Sequence, residues 1–428
     1  MPRALALIDG EHYPSVVRAA FAELPYDVAG AVLLGGEEKL RGELDYGVPL
    51  FRALGEGLAE VQPDAVVDLS DEPVVDARRR FRLASHVLAA GVPYVGADFR
   101  FEPIAFAPFE LPSLAVIGSG KRVGKTAVAG HIARLLARTR EVVVVAMGRG
   151  GPAVPALVEV PPGLDELLAL SRAGEHAASD YLEDAALARV VTVGCRRCGG
   201  GFGGQPFASN VEAGAQLAAT LAPDLVLFEG SGAAVPPVAV DRRVFVAGAH
   251  QDPEEIAGFL GAYRLLLSHL VVLTMCEEPL ASRRRVDALR RAIAEVIPEA
   301  PIIATVLRPR PIEPVAGRRV AFFSTAPEAI HNRLRRHLAE EHGAEVVHVS
   351  GSLARREALQ AELASDEVKA ADLYLVEIKA AAIDVVAEQA AGRGVEVVFA
   401  DNSVLPVAGE ADIDKELLAL AESVGAVA

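Results

Sequence analysis

The chain has 428 residues, 51% of them apolar and 23% charged, with a formal net charge of −16. That length exceeds one ordinary core and predicts two or three domains, while the acidity excludes an extended nucleic-acid-binding face. No apolar run reaches the roughly 18–20 residues that span a bilayer, and three cysteines (Cys195, Cys198 and Cys276) are too few for a disulfide framework, so a reducing, cytoplasmic setting is expected.

In chain order, "MPRALALIDGEHYP" opens with a first strand, "ALALID", rather than a signal peptide. "SVVRAAFAEL" reads as a helix, "VAGAVLLGG" and "AVVDLS" as strands, "RRRFRLASHVLAAG" as a helix and "VPYVGADF" as a closing strand. Short apolar runs alternating with helical patterns predict a parallel sheet covered on both faces. The Pro-punctuated "RFEPIAFAPFELPS" ends this first unit, placed at residues 1–110. A second α/β unit, 111–316, has strands at "LAVIG", "EVVVVAM", "DLVLFEG", "VVLTM" and "IIATV". The Pro-rich "RPRPIEPVAG" marks a break before a third, 317–428, with strands at "RRVAFFST", "AEVVHVS", "DLYLVEI" and "VEVVFADN".

The chemistry is densest in "LAVIGSGKRVGKTAVAGHIARLL": an apolar strand, a Gly-rich turn and a helix with an apolar face. That is the setting of a phosphate-binding loop. Gly118, Gly120 and Gly124 let the backbone from Ser119 through Lys121, Arg122 and Val123 turn its N–H groups toward phosphates. Lys125 reaches the β- and γ-phosphates, and the Thr126 hydroxyl can hold Mg²⁺. The helix N-terminus adds favourable dipole charge. Against the plain G-x-x-x-x-G-K-[ST] pattern, Ser119 stands where the first Gly is expected, so the loop counted from Gly118 is one residue longer. Of 42 basic residues six are Lys, and Lys121 and Lys125 are two of them. Lysine here, in a chain that otherwise uses arginine, points to a required compact charge.

This longer loop resembles the "G-T-x-T-x-V-G-K-T" loop of dethiobiotin synthetase and its relatives, matching at Gly118, Val123, Gly124, Lys125 and Thr126. In "APDLVLFEGSGAAVPP", Glu229-Gly230-Ser231-Gly232 resembles that group's strand-end "E-G-A-G-G", which implies Glu229 as the acidic partner of Mg²⁺. The three-part layout, with "ALIDGEHYP", "GSGKRVGKTA", "VAMGRGGP" and "GCRRCGGG", resembles the cyclic 2,3-diphosphoglycerate synthetase family. The resemblance implies an α/β protein whose central P-loop NTPase domain, of the dethiobiotin synthetase type, is flanked by N-terminal and C-terminal α/β domains. It also implies an ATP- and Mg²⁺-dependent ligase that closes the intramolecular phosphoanhydride of 2,3-diphosphoglycerate and releases ADP and Pi.

Such a substrate, with two phosphates and a carboxylate, calls for forked cations. Arg149 in "AMGRGGP" follows a strand at the carboxyl edge of the sheet, where ligands bind in open α/β folds. Arg196 and Arg197 in "GCRRCGGGFGG" read as part of a flexible, lid-like loop. Lys125, Lys121 and Arg149 are the catalytic candidates, acting by positioning and charge neutralisation. Arg78, Arg79, Arg80 and Arg82 have helical spacing, so at most two can serve one ligand. Asp9, Glu11 and His12 follow the first strand in a ligand-loop position; they could touch substrate, hold a metal, orient arginines or cap a helix. Cys195 and Cys198 form a lone C-x-x-C, open to packing, redox or intersubunit metal roles. In the third unit Glu377, Lys379, Asp401 and Asn402 stand at strand ends, either reaching the site or capping helices.

Two other readings compete: another ATP-dependent ligase or kinase acting on a carboxylate, and a regulatory or metal-delivery GTPase. The guanine-reading N/T-K-x-D segment has no counterpart in "LTMCEEP", which disfavours GTP. The expected partner is a small anionic molecule, with no nucleic acid and no membrane, in a homo-oligomer.

Overall fold

The structure, a computed structural model, describes residues 1–39, 44–379 and 382–425. No helix among them is long and apolar enough to cross a membrane. The chain is mixed α/β, with two sheets dominated by parallel pairing.

The N-terminal sheet runs Leu50–Phe51, Asp27–Leu33, Arg3–Ile8, Ala65–Asp68, Tyr94–Val95 and Arg100–Phe101 across its width; only the last pairing is antiparallel. Its helix Ala77–Ala89 starts at Asp76, whose carboxylate accepts the Arg79 N–H. That cap satisfies one of the free donors of a helix start. The helix packs onto the next unit: Phe81 meets Phe259 edge-on at 5.5 Å, with Arg78–Glu254 and Arg82–Glu295 pairs at the rim. Exposed pairs of this kind contribute little, so the docking rests on this aromatic contact and on the core that Val87, Leu88 and Ile104 share with Leu260 and Tyr263.

The larger sheet is continuous from the phosphate-loop strand to the C-terminal unit. Its order is Ala208–Ser209, Val191–Cys198, Val142–Gly148, Leu225–Glu229, Ser113–Gly118, Arg242–Gly248, Leu270–Thr274, Ile302–Pro311, Glu396–Pro406, Leu373–Glu377, Arg319–Phe323 and Glu345–Ser350, with Ala156–Val158 paired to Val191–Cys198. Alternate residues of the central strands feed two cores: Ala115, Ile117, Val145 and Phe228 on one face, Leu114, Val116, Val144 and Leu227 on the other. Burial of both faces explains the unbroken apolar runs.

The pairing corrects the sequence reading in two places. "GCRRCGGGFGG" is not a loop from its start, because Val191–Cys198 continues as a strand through both arginines and pairs Arg197 and Cys198 with Ser209 and Ala208. And "RPRP", at the break before the third unit, is itself strand, because Ile302–Pro311 pairs antiparallel with Glu396–Pro406, from Thr305↔Pro406 to Pro311↔Ala400. The prolines fit because the Ile312 N–H bonds Phe399 O. By strand alternation the nitrogens of Pro309 and Pro311 then point away from that partner, where no ladder bond is lost. Four strands of the second unit, Ala156–Val158, Val191–Cys198, Ala208–Ser209 and Arg242–Gly248, were not anticipated.

The strand also decides the C-x-x-C. Cys195 and Cys198 lie three residues apart on extended backbone, about 10 Å between Cα atoms, beyond the roughly 7 Å limit for a disulfide. Cys195 is buried, and burial pushes its thiol up to about 12. Its sulfur fills the space over Gly214 of helix Val211–Ala219, where an added Cβ would lie 2.1 Å from Sγ. Gly→Ala in a helix ordinarily stabilises by about 1 kcal/mol. Here Gly214→Ala lowers the melting temperature, the overpacking cost being about 1–3 kcal/mol. Adding Cys195→Ala removes the clash and restores most of the loss, which thermal unfolding of the double variant checks.

Candidate active site

The phosphate loop joins strand Ser113–Gly118 to helix Lys125–Leu136 at the carboxyl edge of the large sheet. Gly124 has φ +78°, and a Cβ there would come within 2.9 Å of Leu307, so glycine is required on both counts. Arg122 also takes a positive φ, +57°. The loop is fastened from three sides. The Ser119 N–H donates to Val246 O at 3.0 Å, the Thr274 hydroxyl donates to Val123 O at 2.7 Å, and the Ser119 hydroxyl meets Gln251. Beneath it, buried Arg264 donates from Nη1 to the carbonyls of Gly118, Ser119 and Ala233 at 3.3–3.4 Å. Burial lowers this guanidinium to about 10, so it stays charged at neutral pH. These bonds fix the Gly118 and Ser119 carbonyls on the side of the loop that faces Arg264.

Lys125 is 9% exposed, and burial lowers its pKa against the opposing pull of Glu229 and Asp180. Next to it, the Thr126 hydroxyl donates to Glu229 Oε1 at 2.9 Å. Helix Asp180–Ala188 brings Asp184 against Glu229. Burial, then each other's charge for Asp184, pushes both carboxyls up. Carboxylates only accept hydrogen bonds, so the two bond each other only when one holds a proton. Asp184 Oδ1 and Oδ2 and Glu229 Oε2 otherwise have no donor. Buried oxygens without donors beside a phosphate-loop Thr suit a hard divalent cation. Among the described residues no group of three or more His, Cys, Asp or Glu is placed to hold a metal. Two carboxylates and a hydroxyl would leave the remaining positions of such a cation to phosphate and water oxygens.

A cavity of about 580 Å³ opens in front of this loop, between the carboxyl edge of the central strands and the C-terminal unit. Lys121, Lys125, Arg149, Asp180 and Glu183 line one side; Glu377, Lys379, Asp401 and Asn402 line the other. Arg149 is brought there by the end of strand Val142–Gly148. Asp401 is held by Arg134 of the phosphate-loop helix and Arg310, and Glu277 by Arg308 and Arg333 at 2.6 Å. Across the mouth, Lys379 Nζ reaches Glu183 Oε1 at 2.5 Å. Burial pushes the Glu183 carboxyl up to about 7, with Lys379 opposing.

The sequence candidates separate on this geometry. Lys121, Arg122, Gly124, Lys125, Thr126, Arg149 and Glu229 share the cavity. Gly118, Ser119 and Gly120 complete the loop behind them, with Val123 buried under it. Arg197 turns inward and donates to Ser231 O at 2.8 Å beside the Glu229 turn, whereas Arg196 is exposed. As strand neighbours they face opposite ways. None of the described residues among the first 110 lines the cavity. Asp9 is fully buried and used locally: Oδ1 accepts the Glu11 N–H at 2.9 Å and meets His12 Nδ1 at 2.9 Å, and Oδ2 accepts the Asp71 N–H at 2.6 Å. The arginine cluster is likewise engaged, Arg80 on Asp68 and Arg79 on the carbonyls of Val74 and Leu34. Asp180, Glu183, Asp184 and Arg264 were missed, since nothing local in "SDYLEDAALA" or "GAYRLLL" marks them.

Sequence profiles of the N-terminal, P-loop and C-terminal domains of cyclic 2,3-diphosphoglycerate synthetase match residues 3–102, 113–306 and 311–403. Cyclic 2,3-diphosphoglycerate synthetase of Rubrobacter xylanophilus is 53% identical, over 99% of this chain and 98% of its own. Proteins of the same name from Thermococcus gammatolerans and Methanothermus fervidus are 45% and 41% identical, covering 95% and 94% of this chain and 94% and 92% of theirs. The loop, the carboxyl pair beside it and these matches over nearly the whole length lead to one conclusion: the chain belongs to the cyclic 2,3-diphosphoglycerate synthetase family.

Proposed function

We propose that the chain is an ATP-dependent ligase that converts 2,3-diphosphoglycerate to its cyclic phosphoanhydride, releasing ADP and Pi. One observation carries the reading. The phosphate loop with Lys125 and Thr126, and the cations Lys121 and Arg149, open onto a single cavity of about 580 Å³. That volume is in the ordinary range for small-ligand sites. A polyanionic substrate beside nucleotide phosphates needs such a convergence of cations.

The terminal phosphoryl group of ATP passes to one phosphate of the substrate. An oxygen of the neighbouring phosphate then attacks the inner phosphorus of that new diphosphate, the bond to the outer phosphoryl group breaks, and Pi leaves as the ring closes. Lys125 holds the β- and γ-phosphates, while Lys121 and Arg149 offset charge on the transferring group. Mg²⁺, held by Thr126, Glu229 and Asp184, would supply charge neutralisation at the nucleotide phosphates. Arg197 steadies the Glu229–Gly232 turn through Ser231 O. A cytoplasmic homo-oligomer belongs to the same reading, supported by free thiols and by the exposed aromatic rings of Phe202 and Phe207.

A coupled assay for ADP tests the substrate. ADP release requires 2,3-diphosphoglycerate, and 3-phosphoglycerate, which has no second phosphate to close a ring, supports none. Equal release with either compound, or without both, contradicts the proposal.

A further inference from the structure

The chain contains six lysines, and three of them, Lys121, Lys125 and Lys379, line the one cavity. The first two belong to the phosphate loop. Lys379 comes from elsewhere, just past the carboxyl end of strand Leu373–Glu377. Among the described residues lining the cavity it is the sole cation from beyond residue 316. It faces the loop across the opening, and 37% of its side chain is still exposed.

Its present partner is informative. Lys379 Nζ sits 2.5 Å from Glu183 Oε1, on the helix that also carries Asp180 and Asp184. The neighbouring acids on its own side are otherwise engaged: Glu377 accepts the Thr325 N–H at 3.1 Å and an Asn402 amide hydrogen at 3.3 Å, and Asp401 holds two arginines. Glu183 is thus the one carboxylate to which Lys379 is hydrogen-bonded among the described residues. A permanent structural tie here would favour the forked geometry of arginine, which this chain uses where Arg134 meets Asp401 and where Arg333 meets Glu277. A lone ammonium with three rotatable donors suits an exchange of partners instead. A dianionic phosphate is a stronger acceptor for it than one carboxylate oxygen.

Resting on the ligase reading above, we infer that Lys379 is a substrate-binding residue: it leaves Glu183 for a phosphate of 2,3-diphosphoglycerate, so the C-terminal unit supplies part of the substrate site. Glu183 holds the ammonium in place while the site is free of substrate. Glu183 therefore competes with the substrate, and the two partners of one ion pair have opposite effects on substrate affinity.

Titration calorimetry of the full chain with Mg²⁺ present, using 2,3-diphosphoglycerate and separately ATP, decides it. Lys379→Met weakens 2,3-diphosphoglycerate binding tenfold or more and leaves ATP within twofold. Lys379→Arg keeps the charge and retains substrate within fivefold, which also guards against a misfolded Met variant. Glu183→Gln binds substrate at least as tightly as wild type. Substrate affinity unchanged in Lys379→Met, or both substrate and ATP weakened alike by Lys379→Met and Glu183→Gln, overturns the inference and leaves a structural tie. Wild-type protein that binds ATP but no 2,3-diphosphoglycerate overturns the ligase reading instead. Inorganic pyrophosphate as the probe then judges Lys379 alone, since the inference requires Lys379→Met to weaken pyrophosphate tenfold as well.

Discussion

Lys125→Ala lowers turnover by about 10³-fold or more while the protein stays folded. A preorganised donor aimed at developing charge is worth roughly 10²–10³ in rate, and Lys125 adds a full charge in a nearly water-free position, 9% exposed. Removing the buried ammonium relieves its desolvation, which offsets part of the packing lost with its stem. The melting temperature of the nucleotide-free variant accordingly stays close to that of wild type. Lys125→Arg does not rescue, because the larger planar guanidinium replaces a compact ammonium at a position only 9% exposed. Turnover within tenfold of wild type, measured under saturating ATP, would remove Lys125 from the mechanism.

The second large effect separates stability from activity. Asp184→Asn removes one of two buried carboxyls that face each other without donors. Taking a buried acid with no partner out of the structure relieves a desolvation cost, so the metal-free variant melts higher, by about 1–3 °C for each kcal/mol gained in a chain this long. The same change takes an anionic ligand from the proposed cation site. Turnover falls about 100-fold, and the Mg²⁺ concentration needed for half-maximal rate rises. A lower melting temperature with full activity would mean that Asp184 is a packing residue. Function at the expense of stability is the pattern expected where a site is built from mutually repelling groups.

How far the sequence reached depends on whether each signal is local. The loop from Gly118 to Thr126 and its strand–helix setting were legible because the required conformation is written into consecutive residues. The place of Glu229 at a strand end was legible from the Gly-Ser-Gly that follows it. The place of Asp184 beside it was not, since that arises only when helix Asp180–Ala188 lies alongside a strand some forty residues later in the chain. Arg264 supports Gly118 O across a separation of 146 residues. The glycines of "GCRRCGGGFGG" suggested a loop, but the strand survives because Ala208–Ser209 returns to pair with its end. That pairing also turns Arg196 and Arg197 to opposite faces, which composition could not reveal. In the first unit, "LIDGEHYP" looked like a ligand loop, yet Asp9 is consumed by backbone donors from Glu11 and Asp71.

Phosphorus NMR of the protein mixed with Mg²⁺–ATP and 2,3-diphosphoglycerate tests the central claim most directly. The account predicts that the two monoester signals of the substrate give way to coupled phosphoanhydride signals, with ADP and Pi appearing in equal amounts, and that Lys125→Ala shows none of this. ATP consumed with the substrate signals unchanged, or a new phosphate ester without ring closure, would contradict it.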